Sequence, residues 1–259
     1  MLALRPHPCP VPERREALRL GMMQLSPFGL SEPWLLRHLG DRHWELIAEA
    51  SGLSGTAFRD DTGRPVYAAF CATSLHLERH RDARLGASLE IVSTLHQVAP
   101  HRIGSVHHLF GPEGCLGRLS MISCFLSHDE SGSNRRLLRN RLPGLRALPP
   151  APAGLAGFHE SARVCARRMR PAPATAPELA RYTPVPAHDF NAAGLLYFPT
   201  FSRAAEMAQP AQAPLLSREV VYLGNLDTGE TISARAASDC VLLVAGEHLL
   251  GSVRTRVAS

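Results

Sequence analysis

The feature that most restricts what this chain can fold into is a repeated order of elements: one helix-like segment, then several segments of period two, then the same series again. The first helix-like segment runs from Ser31 towards Ala50. Leu35, Leu39, Leu46, Ile47 and Ala50 recur there at the spacing that places them on one helical face. Ser31 is a good N-cap, and Glu32 and Pro33 suit a first turn. Gly40-Asp41 is a weak point, so a kink with Asp41 as a new cap is expected. Ahead of it, LGMMQLSP (20–27) reads as a short strand. Behind it, VYAAFCATSLHL (66–77), SLEIVSTLHQV (88–98), GSVHHLF (104–110) and GRLSMISCFLS (117–127) alternate in character, with turn-rich segments between them.

The second series is shorter. A helix is expected to begin near Gly194, and strands follow at 217–226, 230–236, 239–245 and 248–257. Aligning Gly29-Leu30 with Gly194-Leu195 sets Ser26 opposite Asn191, which marks the two series as copies of one unit. One helix wrapped by a curved antiparallel sheet is the hot-dog architecture. The fold class expected is therefore α+β, a double hot-dog with two curved antiparallel sheets, each wrapped around a central helix. The divisions expected are an N-terminal arm (1–18), a first hot-dog domain (19–138), a Pro/Ala-rich connector (139–182) and a second hot-dog domain (183–259).

Composition removes several chemistries. All 28 residues counted as Lys or Arg are Arg, so neither Schiff-base nor P-loop lysine chemistry is available. Two clusters, Arg135, Arg136, Arg139 and Arg141, then Arg167, Arg168 and Arg170, favour phosphate-bearing ligands; no nucleic acid partner is expected. The six cysteines (Cys9, Cys71, Cys115, Cys124, Cys165, Cys240) form no C-x-x-C and are expected to be reduced thiols. The first 20 residues hold no apolar run of signal-peptide length, and no stretch of 18 apolar residues occurs. The expectation is a cytoplasmic protein without a membrane partner. No H-E-x-x-H or spaced His/Cys set is present, and alternation puts His107 and His108 on opposite faces of one strand, so no metal site is expected. His43 and Trp44 read as packing residues. Neither G-x-S-x-G nor a G-x-G-x-x-G after a strand occurs, which excludes hydrolase-elbow and Rossmann readings.

The stretches GMMQLSPFGLSEPWLLRHLGDRHWELI, RPVYAAF and DFNAAGLLYFPTF resemble those of the LnmK-type bifunctional acyltransferase/decarboxylases of leinamycin-type biosynthesis. The resemblance covers both halves and leaves out the first 18 residues and the connector. It implies methylmalonyl-CoA as the type of substrate, decarboxylation, and transfer of the acyl group to the phosphopantetheine thiol of an acyl carrier protein in polyketide-type biosynthesis. It also implies a homodimer and no resident cofactor, with coenzyme A entering only as the substrate thioester. In that family an active-site Tyr takes the acyl group, and the matching position here is Tyr67.

A phenol of ordinary pKa near ~10 needs a base or a positive field to act as a nucleophile; Arg64, three residues upstream of Tyr67, is the candidate cation. An enolate or tetrahedral oxyanion needs hydrogen-bond donors. Helix N-termini at Gly29 and Gly194 would supply them, with Asn191 as a side-chain donor and Leu195, Tyr197 and Phe198 as an acyl-shielding wall. Asp189, His188 and Ser26 are the remaining substrate-binding candidates, although Asp, Asn and Ser also cap helices routinely. Two other readings stay open: a thioesterase or dehydratase in which Asp189 or Glu32 activates water or moves a proton, and a non-catalytic acyl-binding module.

Overall fold

The computed structural model describes residues 11–169 and 176–258; Cys9, Arg170 and the first ten residues of the expected arm lie outside them. The elements are β1 (Glu13–Arg19), β2 (Leu25–Ser26), β3 (Gly29–Leu30), α1 (Glu32–Ala50), β4 (Tyr67–Leu77), β5 (Ser88–Ala99), β6 (Arg102–Gly111), β7 (Gly114–His128) and β8 (Leu137–Arg139). There follow α2 (Ala153–Met169), β9 (Glu178–Tyr182), α3 (Pro186–Asp189), α4 (Pro199–Ala208), β10 (Leu215–Tyr222), β11 (Ile232–Ala236), β12 (Val241–Ala245) and β13 (His248–Val257).

The repeat is present and is more regular than the sequence implied. Strand order is β1-β5-β6-β7-β4 in the first half and β10-β13-β12-β11-β9 in the second, so along this path each half has one strand from before its helix and four from after it; β8 adds to β7, and β2 and β3 form a separate hairpin. The two sheets expected are one: β4 and β10 pair antiparallel from Ala72↔Val221 to His76↔Ser217, fusing the halves into an 11-stranded sheet. Two expected boundaries therefore move. Residues 13–18 of the arm belong to edge strand β1, paired with β5, and residues 178–182 of the connector form the matching edge strand β9, paired with β11. Both strands, ERREALR and ELARY, are charged, which suits an edge exposed to water and gives no apolar signal.

α1 and α2 pack on opposite faces of this sheet. Leu35, Leu36 and Leu39 of α1 share a core with Leu75, Leu77, Ile91, Leu109 and Met121. On the other face, Ala162 of α2 meets Ala72 and Val221 over the β4/β10 seam, and Leu155 meets Val106 and Ile122. α2 thus covers the junction.

α1 begins as expected, with Ser31 Oγ accepting from the Trp34 amide. It runs unbroken through Gly40-Asp41, without the kink expected there. Gly40 serves instead as a point of close approach: a Cβ there would stand 2.9 Å from two ring atoms of Phe198, which comes from the other half. A buried polar chain fixes the same helix to the sheet. His43 Nδ1 and Nε2 bond Ser105 Oγ and Ser123 Oγ, and His107 Nε2 and Nδ1 bond Ser105 Oγ and Ser93 Oγ, each at 2.8 Å. Burial holds the His43 imidazole down at about 3. His107 is pushed well down by burial and then by the nearby charge of His43. His108, on the opposite face of β6, stacks against Phe110.

Candidate functional site

The site arises from a mismatch in strand pairing. β4 pairs with β7 along its whole length, from Tyr67↔Leu126 to Leu77↔Gly117, whereas it pairs with β10 only from Ala72 onwards. Residues 67–71 of β4 and the chain after Tyr222 therefore diverge and open the sheet at the seam. The turn before α4, closed by the Phe190↔Leu196 bridge, and Asn225 fill part of the gap. What remains is a cavity of 1390 Å³ whose wall takes Gly40, Asp41 and Phe70 from the α1 side and Cys71, Cys124 and His159 from the α2 side.

Tyr67 and Asn191 both line this cavity, as does His188. The Tyr67 hydroxyl has no hydrogen-bond partner among the described residues; its ring meets that of His128 edge-on, with centroids 5.4 Å apart. His128 is oriented by Asn134, whose Nδ2 gives both protons to carbonyls, those of Gly194 (2.7 Å) and Leu226 (2.9 Å). Its Oδ1 can therefore only accept, and the 2.9 Å bond to His128 fixes the imidazole proton on Nε2.

The same reasoning orients Asn191. Its Oδ1 accepts from the amides of Ala193 (3.0 Å) and Leu195 (3.1 Å), which leaves Nδ2 without a partner among the described residues. The helix-terminus part of the expectation fails. α4 starts at Pro199, and the Gly194 amide is spent on the Asn191 carbonyl at 2.9 Å, so Gly194, at φ 72°, closes a turn and does not line the cavity.

Four other expected residues lie elsewhere. Gly29 and Ser26 form the β2–β3 hairpin, where Ser26 Oγ takes the Phe28 amide at 3.2 Å and gives its own proton to the Gly29 carbonyl. This matches the Asn191 turn in local geometry, but it is outside the cavity. Arg64 is exposed and pairs with Asp60 at 3.2 Å, so it is not the cation beside Tyr67. Asp189 is 1% exposed and accepts from the Val185 amide (2.8 Å), Arg203 (3.1 Å) and the Tyr182 hydroxyl, serving as an anchor for the turn. Burial, with Asp189 beside it, pushes the Tyr182 phenol up to about 12. Glu32, the other expected acid, is buried and held by Arg218, which also binds Glu206. Neither carboxylate reaches the cavity.

The wall around Tyr197 and Phe198 is apolar as expected. Phe70 and Phe198 meet at a tilt of 53° with centroids 4.3 Å apart, and Tyr197 meets Phe198 edge-on at 5.2 Å. Two groups escaped the sequence reading. Asp41 is the carboxylate among the described lining residues; burial, then Glu45, raises its pKa above the usual carboxylate value. Burial, then Asp41, pushes the Tyr197 phenol up to about 12. The second group is a thiol pair. β4/β7 pairing sets Ala69 opposite Cys124, and a register shift between Phe70 and Ala72 makes Cys71 the extra residue of a bulge beside it. The Cys71 thiol donates to the Ala69 carbonyl at 3.9 Å. Separation in sequence hides such a pair; only strand register brings it together.

Among the described residues no group of His, Cys, Asp and Glu could hold a metal ion, and no helix is long and apolar enough to cross a membrane. No protein-family model and no curated protein matches the chain. Solved structures do. The 12:0-ACP thioesterase from Umbellularia californica aligns over 95% of both chains at 12% identity with a TM-score of 0.65. An acyl-ACP thioesterase from Bacteroides thetaiotaomicron aligns over 95% of this chain and 98% of its own at 9% identity with a TM-score of 0.68. At such identities the likeness is one of fold, and it extends over both repeats.

Proposed function

We propose that this chain is an acyl-thioester hydrolase whose substrate carries its acyl group on a phosphopantetheine arm, as coenzyme A or acyl carrier protein. The observation that carries this reading is Asn191: two backbone amides pin its Oδ1, and its Nδ2 is left free at a cavity with an aromatic wall. A pinned donor of this kind suits a thioester carbonyl oxygen, because it needs no reorganisation as negative charge develops there. Phe70, Tyr197 and Phe198 would shield the acyl chain. Asp41, with its raised pKa, suits the base that takes a proton from the water whose oxygen ends in the free acid. The fold shared with two acyl-ACP thioesterase structures supports the same substrate class.

A second reading, acyl transfer with decarboxylation through Tyr67, is favoured by one observation: the Tyr67 hydroxyl is unpartnered among the described residues and shares the cavity with Asn191. Incubation with lauroyl-CoA, lauroyl-carrier protein and methylmalonyl-CoA separates the two. Hydrolysis gives free acid and free thiol. Loss of CO2 with a propionyl adduct that disappears in Tyr67→Phe would establish the second reading, and no thiol release from any of the three would overturn both.

A further inference from the structure

Of the described cysteines, Cys71 and Cys124 are the two that line the seam cavity. Pairing places two cations beside them: Ile103 is opposite Ser123, which sets Arg102 next to Cys124 along β6, and Arg139 of β8 is opposite Leu126, two residues from Cys124 on β7. Both arginines line the cavity as well. Neither makes a salt bridge to a described carboxylate; Arg102 gives one proton to the His101 carbonyl at 3.1 Å. The other cysteines have different surroundings. Cys165 meets Ser252 Oγ at 3.5 Å, and burial, then Asp239, pushes the Cys240 thiol up to about 11.

We propose that Cys124 is an acyl-accepting nucleophile, whose thiolate attacks the thioester carbonyl of a phosphopantetheine-borne acyl group in the seam cavity. The inference rests on the acyl-thioester reading above and deepens it by naming the attacking atom. A lone pair on the Cys124 sulfur forms the new C–S bond, and the C–S bond to pantetheine breaks. The pantetheine thiolate leaves with that electron pair and takes a proton from water, while Cys71 keeps its own. No oxidant or reductant is involved, and one thioester replaces another at nearly equal energy. Water or a second thiol then removes the acyl group from Cys124.

The surroundings favour this atom over the phenol of Tyr67. The cation expected beside Tyr67 is bound to Asp60 outside the cavity, whereas Arg102 and Arg139 lie beside the thiol. The adjoining Cys71 thiol, followed by the positive charges of Arg102 and Arg139, lowers the Cys124 thiol below the ordinary cysteine value against the opposing effect of burial. The nearness of Cys124, with burial, raises the Cys71 thiol, so Cys124 is the member of the pair that gives up its proton first. The thiolate is the attacking form of a cysteine, so a lowered pKa enlarges the reactive fraction of Cys124 at neutral pH.

The test uses the full chain. Lauroyl-CoA is mixed with wild type, Cys124→Ala, Cys71→Ser and Tyr67→Phe, and free CoA is followed through the first turnover, with acid-quenched samples mapped by peptide mass. The expected result is a burst of one CoA per chain with a lauroyl adduct on the Cys124 peptide. Burst and adduct persist in Tyr67→Phe, the adduct forms more slowly in Cys71→Ser, and in Cys124→Ala both vanish and turnover falls by at least about a hundredfold. Iodoacetamide alkylation of Cys124 in the wild type needs no variant to fold; its rate should titrate below the ordinary cysteine value, shift upward in Arg139→Ala and slow when lauroyl-CoA is present. If Cys124→Ala turns over at the wild-type rate, or the adduct maps elsewhere, the nucleophile is wrong while the thioester reading stands. An alkylation midpoint near the ordinary cysteine value would also overturn the proposal. If wild type releases no CoA and no carrier-protein thiol, the parent reading fails and Cys124 with it.

Discussion

Stability should fall on mild acidification because His43 is folded into a place where it cannot take a proton. Its two ring nitrogens are satisfied by Ser105 and Ser123, and it is fully buried. Burial lowers its pKa from 6.5 to about 3. Below 6.5 the unfolded chain binds a proton at this residue that the folded chain refuses. The contribution is therefore complete above pH 6.5 and is lost as pH falls towards 3. Between pH 7.5 and 5 the drop spans roughly 1.5 units of proton affinity, which at 1.36 kcal/mol per unit is about 2 kcal/mol. His107 is shifted in the same direction and adds to it. Asp41 and Glu32, whose native pKa values are raised, act in the opposite direction, so the difference between wild type and His43→Gln isolates the imidazole. The assay is urea unfolding at pH 7.5 and at pH 5, for wild type and His43→Gln. The variant is less stable at pH 7.5, having changed two buried hydrogen bonds, but it loses less on acidification. If wild type loses under about 0.5 kcal/mol, or the variant loses as much as wild type, the inference from burial to proton refusal is wrong.

Gly40→Ala should destabilise by about 1 kcal/mol, because the ~1 kcal/mol gain in helix propensity is outweighed by the ~1–3 kcal/mol cost of a methyl 2.9 Å from the Phe198 ring. Urea titration checks it, and Phe198→Leu in the same chain should return part of the loss. Asn191→Ala should lower kcat by about a hundredfold with little change in KM, as removal of an oxyanion donor does. A rise confined to KM would show that Asn191 only binds. Asp41→Asn should abolish the acid limb of the kcat/KM profile against pH, a limb expected above the ordinary carboxylate value because the Asp41 pKa is raised. An unchanged profile removes Asp41 from the reaction. Glu32→Gln should cost about 3 kcal/mol or more in urea stability, since Arg218 would stay buried with only Glu206 as its carboxylate partner.

The repeat was legible because period and order are local properties, and each half carried them independently. The parts missed were those in which local chemistry and global role diverge. ERREALR carries alternate charges and no apolar residue beyond Ala and Leu, so nothing distinguishes an edge strand from an arm until β5 is placed beside it. Asp189 and Asn191 stand two residues apart in one turn and were assigned to one site. The fold separates them: the Asp189 carboxylate is directed into Tyr182, Val185 and Arg203, and the Asn191 amide nitrogen is left over. Arg64 failed for the opposite reason, since nearness in sequence to Tyr67 did not survive a turn in which Asp60 captures it.

The symmetry of the fold also explains why the site is single. The turns at Ser26–Gly29 and Asn191–Gly194 share one hydrogen bond, a side-chain oxygen accepting an amide two residues on. In the first half that turn leads into Glu32, whose carboxylate is bound by Arg218 of the other half. In the second half it leads into Tyr197 and Phe198, and the sheet beside it is open. Which copy keeps a cavity is thus decided by how far β4 and β10 stay paired, a long-range choice that neither copy encodes by itself.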